Sequence, residues 1–195
     1  MVRSVSLQYG SLPQPSVDNL FRIASACIKD KSIPHVLLLY DYIRRNGMDT
    51  HASFGNYLVT LLVESRSIHC AQAVFDKLVS KNQSSWESLI KSHIESDNFD
   101  QAFVLYQKMR ENGLDPSKYV MVMLISACTK NKDVDRGIEI HVDVWKKDSL
   151  QNDVFIGSSL VDMYAKCRFF TKAQQLFDEL PVRNVVSWNV IIAGC

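Results

Sequence analysis

The chain has 195 residues, of which 47% are hydrophobic and 22% charged, with a net charge of +1 at neutral pH. This is ordinary globular composition, and the near-neutral balance argues against tight nonspecific binding to a phosphate backbone. No run approaches the ~18 apolar residues that a membrane span needs, so we expect no membrane partner. The five cysteines are widely spaced without a CxxC pair, which favours reduced thiols over a metal site.

Residues 1–16 differ in composition from the rest of the chain. They contain Arg3 and four serines, and no acidic residue precedes Asp18. This composition is typical both of an organellar transit peptide and of a disordered terminus. We therefore predict a leader, disordered or transit-like, and leave the two alternatives open.

From residue 17 onward the sequence repeats itself in order. Gly55-Asn56 and Gly157-Ser158 are 102 positions apart, and so are Ser85-Trp86 and Ser187-Trp188. Ordered self-similarity with a period of about 20 to 50 residues is typical of a solenoid. The register divides the chain, without linkers, into blocks 17–51, 52–82, 83–117, 118–153 and 154–184 and a partial block 185–195.

Each block predicts a pair of helices. In block 83–117, apolar residues recur at helical spacing on both sides of the polar stretch 95–98. Asp97 or Asn98 is placed to cap the second helix, and Gly113 follows that helix where a left-handed residue is needed. Because neither helix can bury its apolar face alone, stacking of the hairpins supplies the core. The predicted fold is an all-α solenoid of stacked helix-turn-helix repeats.

The partial block contains one predicted helix without a hairpin partner. Solenoids normally end in a repeat with a polar outer face, whereas residues 185–192 are mostly apolar. We therefore expect the chain to be a truncated array.

The sequence contains no pattern that predicts catalysis. A nucleophile beside a base, paired catalytic carboxylates and a Gly-rich phosphate loop are all missing. His93-Ile94-Glu95 has the HxE spacing of a zinc deaminase, but the P-C-x-x-C that completes such a site does not follow. His141 is expected to be a packed or surface residue. We predict that the chain is not an enzyme and has no catalytic residue, metal or cofactor.

Three short motifs and the order of the block lengths are the most specific features of the sequence. The motifs are LVDMYAKC at 160–167, NVVSWN at 184–189 and LISAC at 124–128. Together with the block lengths, across about 90% of the chain, they resemble the pentatricopeptide repeat family, specifically the plant subclass that alternates standard, long and short repeats. One departure is Arg168, which stands where the family usually has glycine.

This resemblance implies a right-handed superhelix that binds single-stranded RNA at one base per repeat. The fifth and last residues of each repeat would contact the Watson–Crick edge of a base. The implied base-contacting residues are Asn56 with Asn82, Glu87 with Ser117, Ser158 with Asn184, and Asn189. In the family pattern, Asn with Asn selects a pyrimidine, usually cytosine, and Ser with Asn selects adenine; Asn189 suggests another pyrimidine.

Other repeats depart from that pattern. Glu87 replaces the usual Asn, Thr or Ser, which leaves the base of its repeat unassigned. The long repeats carry apolar fifth residues, Phe21 with His51 and Val122 with Asp153, and cannot be assigned a base. Hydrophobic residues two or three places into each first helix are expected to sandwich bases.

The resemblance also implies a cellular role. Members of the subclass mostly serve as specificity factors for RNA editing, with a deaminase or recruiting extension after the repeats. The expected partners are single-stranded organellar RNA and editing-complex proteins, in the mitochondrion or the chloroplast. Two alternatives stay open: a tetratricopeptide-like scaffold for protein interaction, and a truncated gene copy without a function of its own.

At the level of single residues, two further alternatives stay open. Asn56, Ser158 and Asn189 are also suited to cap the helices that they begin. Basic residues along the blocks would either follow RNA phosphates or form a solvated face, since acidic residues are interleaved with them. These are Lys91, Lys130, Lys132, Arg136 and Lys166.

Overall fold

The computed structural model describes residues 19–20, 22–24, 26, 33–47, 52–146 and 153–194. All regular secondary structure in these ranges is helical, which confirms the predicted all-α fold of stacked hairpins. None of the helices in these ranges is long and apolar enough to cross a membrane. The predicted leader, Phe21 and His51 lie outside the described residues. The chain divides into two compact units, residues 1–80 and 81–195.

Within its described residues, the first unit contains one complete helical hairpin. Its helices are α1 at Ile33–Arg45, α2 at Ala52–Glu64 and α3 at Ile68–Lys77. Residues 19–20, 22–24 and 26 are also helical. Helices α2 and α3 pack against each other. Their buried side chains include Phe54, Leu58, Ala71 and Phe75.

The second unit stacks successive hairpins. Its helices are α4 at Gln83–Glu95, α5 at Phe99–Glu111, α6 at Lys118–Asn131, α7 at Val134–Trp145, α8 at Val154–Lys166, α9 at Phe170–Glu179 and α10 at Val185–Gly194. The first helices α4, α6, α8 and α10 pack side by side in that order. The second helices α5, α7 and α9 each pack against the first helix of their own block. The unit therefore has one layer of first helices and one of second helices.

A small residue recurs in every second helix and is buried each time. These residues are Ala71, Ala102, Gly137 and Ala173. A Cβ atom on Gly137 would lie 2.8 Å from Cε and Sδ of Met163 on α8. Since real Cβ atoms do not approach other atoms so closely, the missing side chain is what lets Met163 of the next block pack against α7.

Polar and charged contacts join the second helices of neighbouring blocks. The Asp143 carboxylate, 4% exposed, accepts hydrogen bonds from Tyr106 Oη at 2.6 Å and from Arg110 Nη2 at 2.5 Å. Burial and the adjacent carboxylate raise the pKa of Tyr106, so this hydroxyl stays protonated and donates. The buried charge of Asp143 is thus paired and hydrogen-bonded, which a buried carboxylate requires.

The turns within the hairpins are closed by the backbone. In the four hairpins formed by α2 to α9, the first helix is followed by a left-handed residue: Arg66, Asp97, Lys132 and Arg168, with φ of 57°, 56°, 57° and 69°. The next N–H then donates to the carbonyl five positions earlier, as Phe169 does to Tyr164 at 2.8 Å. This is the Schellman arrangement.

The predicted side-chain cap of α5 is wrong. Asn98 occupies the N-cap position but makes no side-chain cap hydrogen bond, and Asp97 is the left-handed residue of the turn. The prediction for Gly113 is confirmed, because its φ is 72° and the following Leu114 N–H donates to Met109 O at 3.1 Å. Glycine therefore occupies the left-handed position after α5, whereas an arginine occupies it after α8.

We expect Arg168→Gly to stabilise the second unit by about 1 kcal/mol. A left-handed conformation costs a residue with a Cβ about 1–2 kcal/mol, and the greater freedom of glycine in the unfolded chain offsets part of the gain. Chemical denaturation of the wild type and the variant measures the difference. Arg168→Ala, which keeps the Cβ, is the matched control and should give no gain. Equal stabilisation by alanine and glycine would show that the arginine side chain, and not the backbone, causes the strain.

Candidate nucleic-acid interface

Each first helix of the second unit begins where the last residue of the preceding block caps it. Asn82 Oδ1 accepts a hydrogen bond from Ser85 N–H at 2.9 Å, and Asn184 Oδ1 accepts one from Ser187 N–H at 2.9 Å. Such bonds satisfy backbone donors that the first turn of a helix leaves unpaired. Ser117 and Asp153 cap α6 and α8 in the same way, by accepting from Val120 N–H and from Phe155 and Ile156 N–H.

These caps determine where the predicted fifth residues lie. Asn56, Ser158 and Asn189 are each the fifth residue of their helix, more than one turn after its start. The alternative that they cap those helices is therefore wrong. The predicted last residues are the caps instead, a role that the sequence interpretation did not assign to them.

The structure brings a fifth residue and a last residue into direct contact in block 83–117. Glu87 Oε1 accepts from the Ser117 backbone N–H at 2.7 Å, and Glu87 Oε2 accepts from Ser117 Oγ at 3.0 Å. In block 52–82, Asn56 Nδ2 donates to the carbonyl of Ser80 at 2.9 Å, two residues before Asn82. In both blocks the fifth side chain thus reaches the end of its own block.

The predicted base-contacting residues differ in accessibility. Asn56 and Ser158 are only 4% and 3% exposed, and the Ser158 hydroxyl donates to the carbonyl of Val154 within its own helix. Glu87 is half-buried and Asn189 is exposed. Among the polar fifth residues predicted to contact a base, Glu87 and Asn189 are consequently the two whose side chains are open to a ligand.

Exposed apolar side chains occupy the second position of three neighbouring first helices. Tyr119 of α6, Phe155 of α8 and Val186 of α10 are 59%, 67% and 54% exposed. The equivalent residue of α4 is Ser84, also exposed. Aromatic side chains held in water beside polar groups are the usual platforms on which unpaired bases stack. The sequence predicted a stacking role for this part of the helix but did not single out these residues.

A basic cleft of about 1020 Å³ lies beside Asn189. It is lined by Lys132, Lys166 and Arg168, by one acidic residue, Asp162, and by the aromatic side chains of the α8–α9 turn. Lys132 Nζ donates to the backbone carbonyl of Lys166 at 2.8 Å, which places the Lys132 ammonium at the end of α8. Lys166 Nζ forms an ion pair with Asp162 at 2.9 Å. An excess of cationic groups around a cleft favours an anionic ligand.

The remaining basic residues singled out in the sequence are, like Lys166, paired with acidic groups. Lys130 forms an ion pair with Asp97, and Lys91 lies 3.7 Å from Glu95. Arg136 Nη1 lies 2.7 Å from Asp100, and its guanidinium lies over the ring of Phe103. Arg136 is on a second helix and holds α7 to α5, so a structural role fits it better than phosphate contact.

The two histidines considered for chemistry lie in packed surroundings. His141 is 9% exposed, its Nδ1 is hydrogen-bonded to Tyr164 Oη at 2.7 Å, and its ring packs edge-on against Trp145. Burial, with a smaller effect of Lys172, lowers the pKa of His141 to about 4. Burial also lowers the pKa of His93. The described residues contain no group of three His, Cys, Asp or Glu side chains placed to hold a metal ion.

Comparisons with known proteins agree with this architecture. Two family models match the chain, one described as the PPR repeat family over residues 81–130 and one as the PPR repeat over residues 158–185. The chain belongs to the pentatricopeptide repeat family. Among solved structures, the PPR domain of Arabidopsis thaliana protein-only RNase P 1 in complex with tRNA is similar, with a TM-score of 0.70, 16% identity and coverage of 91% of this chain and 97% of that chain. The pentatricopeptide repeat protein PPR10 from maize is also similar, with a TM-score of 0.53, 13% identity and coverage of 92% of this chain and 32% of that chain. At these identities the two likenesses show the fold alone.

Curated relatives from Arabidopsis thaliana are more similar in sequence. Pentatricopeptide repeat-containing protein At4g14850 is 31% identical over 80% of this chain and 23% of its own length. At1g50270 is 33% identical over 78% of this chain and 26% of its own length. At1g11290, chloroplastic, is 30% identical over 80% of this chain and 19% of its own length. The chain therefore spans about a fifth to a quarter of the length of these relatives.

We expect Asn82→Ala to destabilise the second unit by about 1 kcal/mol, the usual cost of losing an N-cap hydrogen bond. Asn82→Asp keeps an oxygen for Ser85 N–H and should cost much less. Asn98→Ala is the matched control, because Asn98 has the same position on α5 without a side-chain cap bond. Urea denaturation of the three variants provides the comparison. A loss in Asn98→Ala as large as that in Asn82→Ala would contradict the assignment of the cap.

We expect acidification to destabilise the second unit partly through His141. In the unfolded chain this imidazole binds a proton near pH 6.5, whereas in the folded protein its pKa is about 4. The unfolded state therefore binds more protons between these values, and stability falls as pH falls from about 6.5 to 4. His141→Gln should lose less stability than the wild type between pH 7 and pH 4.5 in urea denaturation. Because burial also lowers the pKa of His93, the stability of His141→Gln should still fall on acidification, but less steeply than that of the wild type. Parallel pH profiles would show that His141 does not contribute.

Proposed function

We propose that this chain is part of a sequence-selective, single-stranded RNA-binding repeat protein in which each repeat contacts one base. The observation that carries this proposal is the row of exposed side chains at the second positions of adjacent first helices, Tyr119, Phe155 and Val186. Unpaired bases stacked between such side chains would leave their Watson–Crick edges pointing along the first helices. Membership in the pentatricopeptide repeat family and the described complex of a similar PPR domain with tRNA support the same function.

Base selection would come from the fifth and last residues. The contact between Glu87 and Ser117 shows that these two positions are neighbours in at least one block. At Asn184 the cap occupies Oδ1, so the amide Nδ2 is the group with which this residue would meet a base. A donor at that position suits adenine, whose Watson–Crick edge carries the acceptor N1, and adenine is the base implied for Ser158 with Asn184.

The basic cleft beside Asn189 would hold the phosphate backbone. Lys132, Lys166 and Arg168 stand at the ends of adjacent first helices, so a strand that follows the bases would pass them in turn. This contribution does not depend on sequence and weakens with ionic strength. Because the net charge of the chain is only +1, binding would depend on this local cluster and on stacking.

We further propose an organellar specificity factor for RNA editing or processing as the whole protein's role. The alternation of standard, long and short block lengths supports it, because members of that subclass mostly direct editing. A chloroplastic location in the name of the similar protein At1g11290 supports an organelle. Editing-complex proteins would then be additional partners, bound outside the base-contacting face.

A second candidate function, a scaffold for protein partners, is favoured by one observation. Ile138, Val142 and Trp145 form a stripe at helical spacing on α7, and they are 40%, 47% and 41% exposed. Such a stripe is the kind of surface on which a partner helix docks. It lies on a second helix, whereas the proposed RNA-contacting residues lie on first helices.

We expect Phe155→Ala to weaken binding to a single-stranded RNA pool by about 5- to 150-fold, since a stacked base contributes about 1–3 kcal/mol. Trp145→Ala is the matched control, because it removes an exposed aromatic side chain from a second helix. Fluorescence anisotropy at low salt measures both, and a salt titration of the wild type should show a steep loss of affinity. Failure of the wild type to bind RNA at low salt would overturn RNA binding and leave the scaffold. An equal loss in both variants would contradict the assignment of the binding face.

A further inference from the structure

We propose that Glu87 makes the repeat at 83–117 select guanine. This inference rests on the proposed reading of RNA by fifth and last residues, and it assigns a base to the repeat whose fifth residue departs from the family pattern. The reason is the direction of the hydrogen bonds between Glu87 and Ser117, which leaves the pair with acceptors only.

The Glu87 carboxylate is held in place by three neutral donors. Oε1 accepts from Ser117 N–H at 2.7 Å and from Gln83 Nε2 at 2.9 Å, and Oε2 accepts from Ser117 Oγ at 3.0 Å. The bonds from Ser117 come from the start of the next helix, α6, while Gln83 is an exposed side chain on Glu87's own helix. The two bonds from Ser117 fix the carboxylate in position. The bond from Gln83 is the one that a ligand could replace.

The hydroxyl of Ser117 has no second proton to offer. A serine hydroxyl carries one proton and two lone pairs, and that proton goes to Glu87 Oε2. Ser117 Oγ in turn accepts from Val120 N–H in its capping role. Glu87 and Ser117 together therefore present oxygen lone pairs to a base. Asn184, by contrast, uses its oxygen for the cap and keeps an N–H₂ group for a base.

Only one RNA base offers two adjacent donors on its Watson–Crick edge. Guanine presents N1–H beside N2–H₂, whereas adenine and cytosine each place a ring nitrogen acceptor next to their single amino group. Uracil places its one N–H between two carbonyl oxygens. A carboxylate is acceptor-only and can bond two parallel donors at once, so it matches guanine.

The charge of Glu87 strengthens this selection. Its three hydrogen-bond donors are uncharged, so none of them neutralises the negative charge of this half-buried carboxylate. Such a site opposes the lone pairs of adenine N1, cytosine N3 and the uracil carbonyls more strongly than open water would. Specificity would thus come both from attraction to guanine and from repulsion of the other three bases.

A selection from randomised single-stranded RNA tests this proposal. The full chain should enrich, in the 5′-to-3′ direction, a pyrimidine, guanine, any base and adenine, for the repeats of Asn56, Glu87, Val122 and Ser158. Direct binding to four RNAs that differ only at the second position should favour guanine by about 5- to 150-fold. In Glu87→Gln, which keeps the shape but adds a donor, this preference should disappear while adenine remains selected.

Two further variants complete the design. Glu95→Gln removes an equal charge from an exposed site two turns further along α4, and it should keep the guanine preference. Glu87→Asn restores the side chain usual in the family and should move the preference to a pyrimidine, which provides a second readout if Glu87→Gln folds poorly.

The possible results separate this proposal from the proposed function. Selection of adenine without guanine, or guanine that persists in Glu87→Gln, would overturn the role of Glu87 and leave RNA binding intact. Tighter binding of every RNA by Glu87→Gln, with unchanged base preference, would show that Glu87 only joins two repeats. No enrichment by the wild type at low salt would overturn RNA reading itself and this inference with it.

Discussion

The N-cap hydrogen bond at the end of each block is the interaction on which the candidate site depends. Asn82, Ser117, Asp153 and Asn184 each accept a backbone N–H from the first turn of the next helix. This bond sets where a first helix begins and hence where its fifth residue lies. It also holds the capping side chain at the junction between two repeats, where Ser117 reaches Glu87 of the preceding first helix, α4. The bond that starts the helix therefore also fixes the position of Ser117 beside Glu87.

Much of the fold could be predicted because the hairpins are local and periodic. Apolar spacing located both helices of block 83–117, and the glycine after α5 marked a left-handed position that the structure contains at φ of 72°. The capping of second helices could not be predicted in this way. Three of the four residues at those N-cap positions, Ser67, Asn98 and Phe169, make no side-chain cap bond. The fourth, Asp133, caps α7 by accepting from Arg136 N–H at 3.1 Å. All four hairpins share the Schellman turn, whose backbone closes the hairpin with or without a side-chain cap. Where backbone hydrogen bonds already close a turn, the identity of the side chain at the N-cap position says little about whether it caps the helix.

Burial of repeated motifs was harder to predict than their position. Trp86 and Trp188 belong to the same motif 102 residues apart, yet they are 3% and 51% exposed. The first lies within the layer of first helices, and the second packs edge-on against Phe177 at 4.9 Å while its other side meets solvent. Likewise, the family pattern could pair Glu87 with Ser117 but could not show that the serine proton points to the carboxylate. Such bonds join residues 30 positions apart, and only the packed structure defines them.

The double role proposed for the last residue, as helix cap and as base contact, limits which side chains can occupy it. A residue that must accept a backbone N–H at a helix start is drawn from Asn, Asp, Ser and Thr, and the four block-ending residues of the second unit all come from this set. Each has an oxygen committed to the cap, so its choice of what to offer a base is narrow: an amide keeps a donor, and a carboxylate keeps acceptors. The fifth residue has no capping duty, because it lies inside the helix where the backbone is already bonded. Variation in the proposed base-contacting side chain is therefore less costly at the fifth position, and Glu87, the clearest departure from the family pattern in this chain, occurs there.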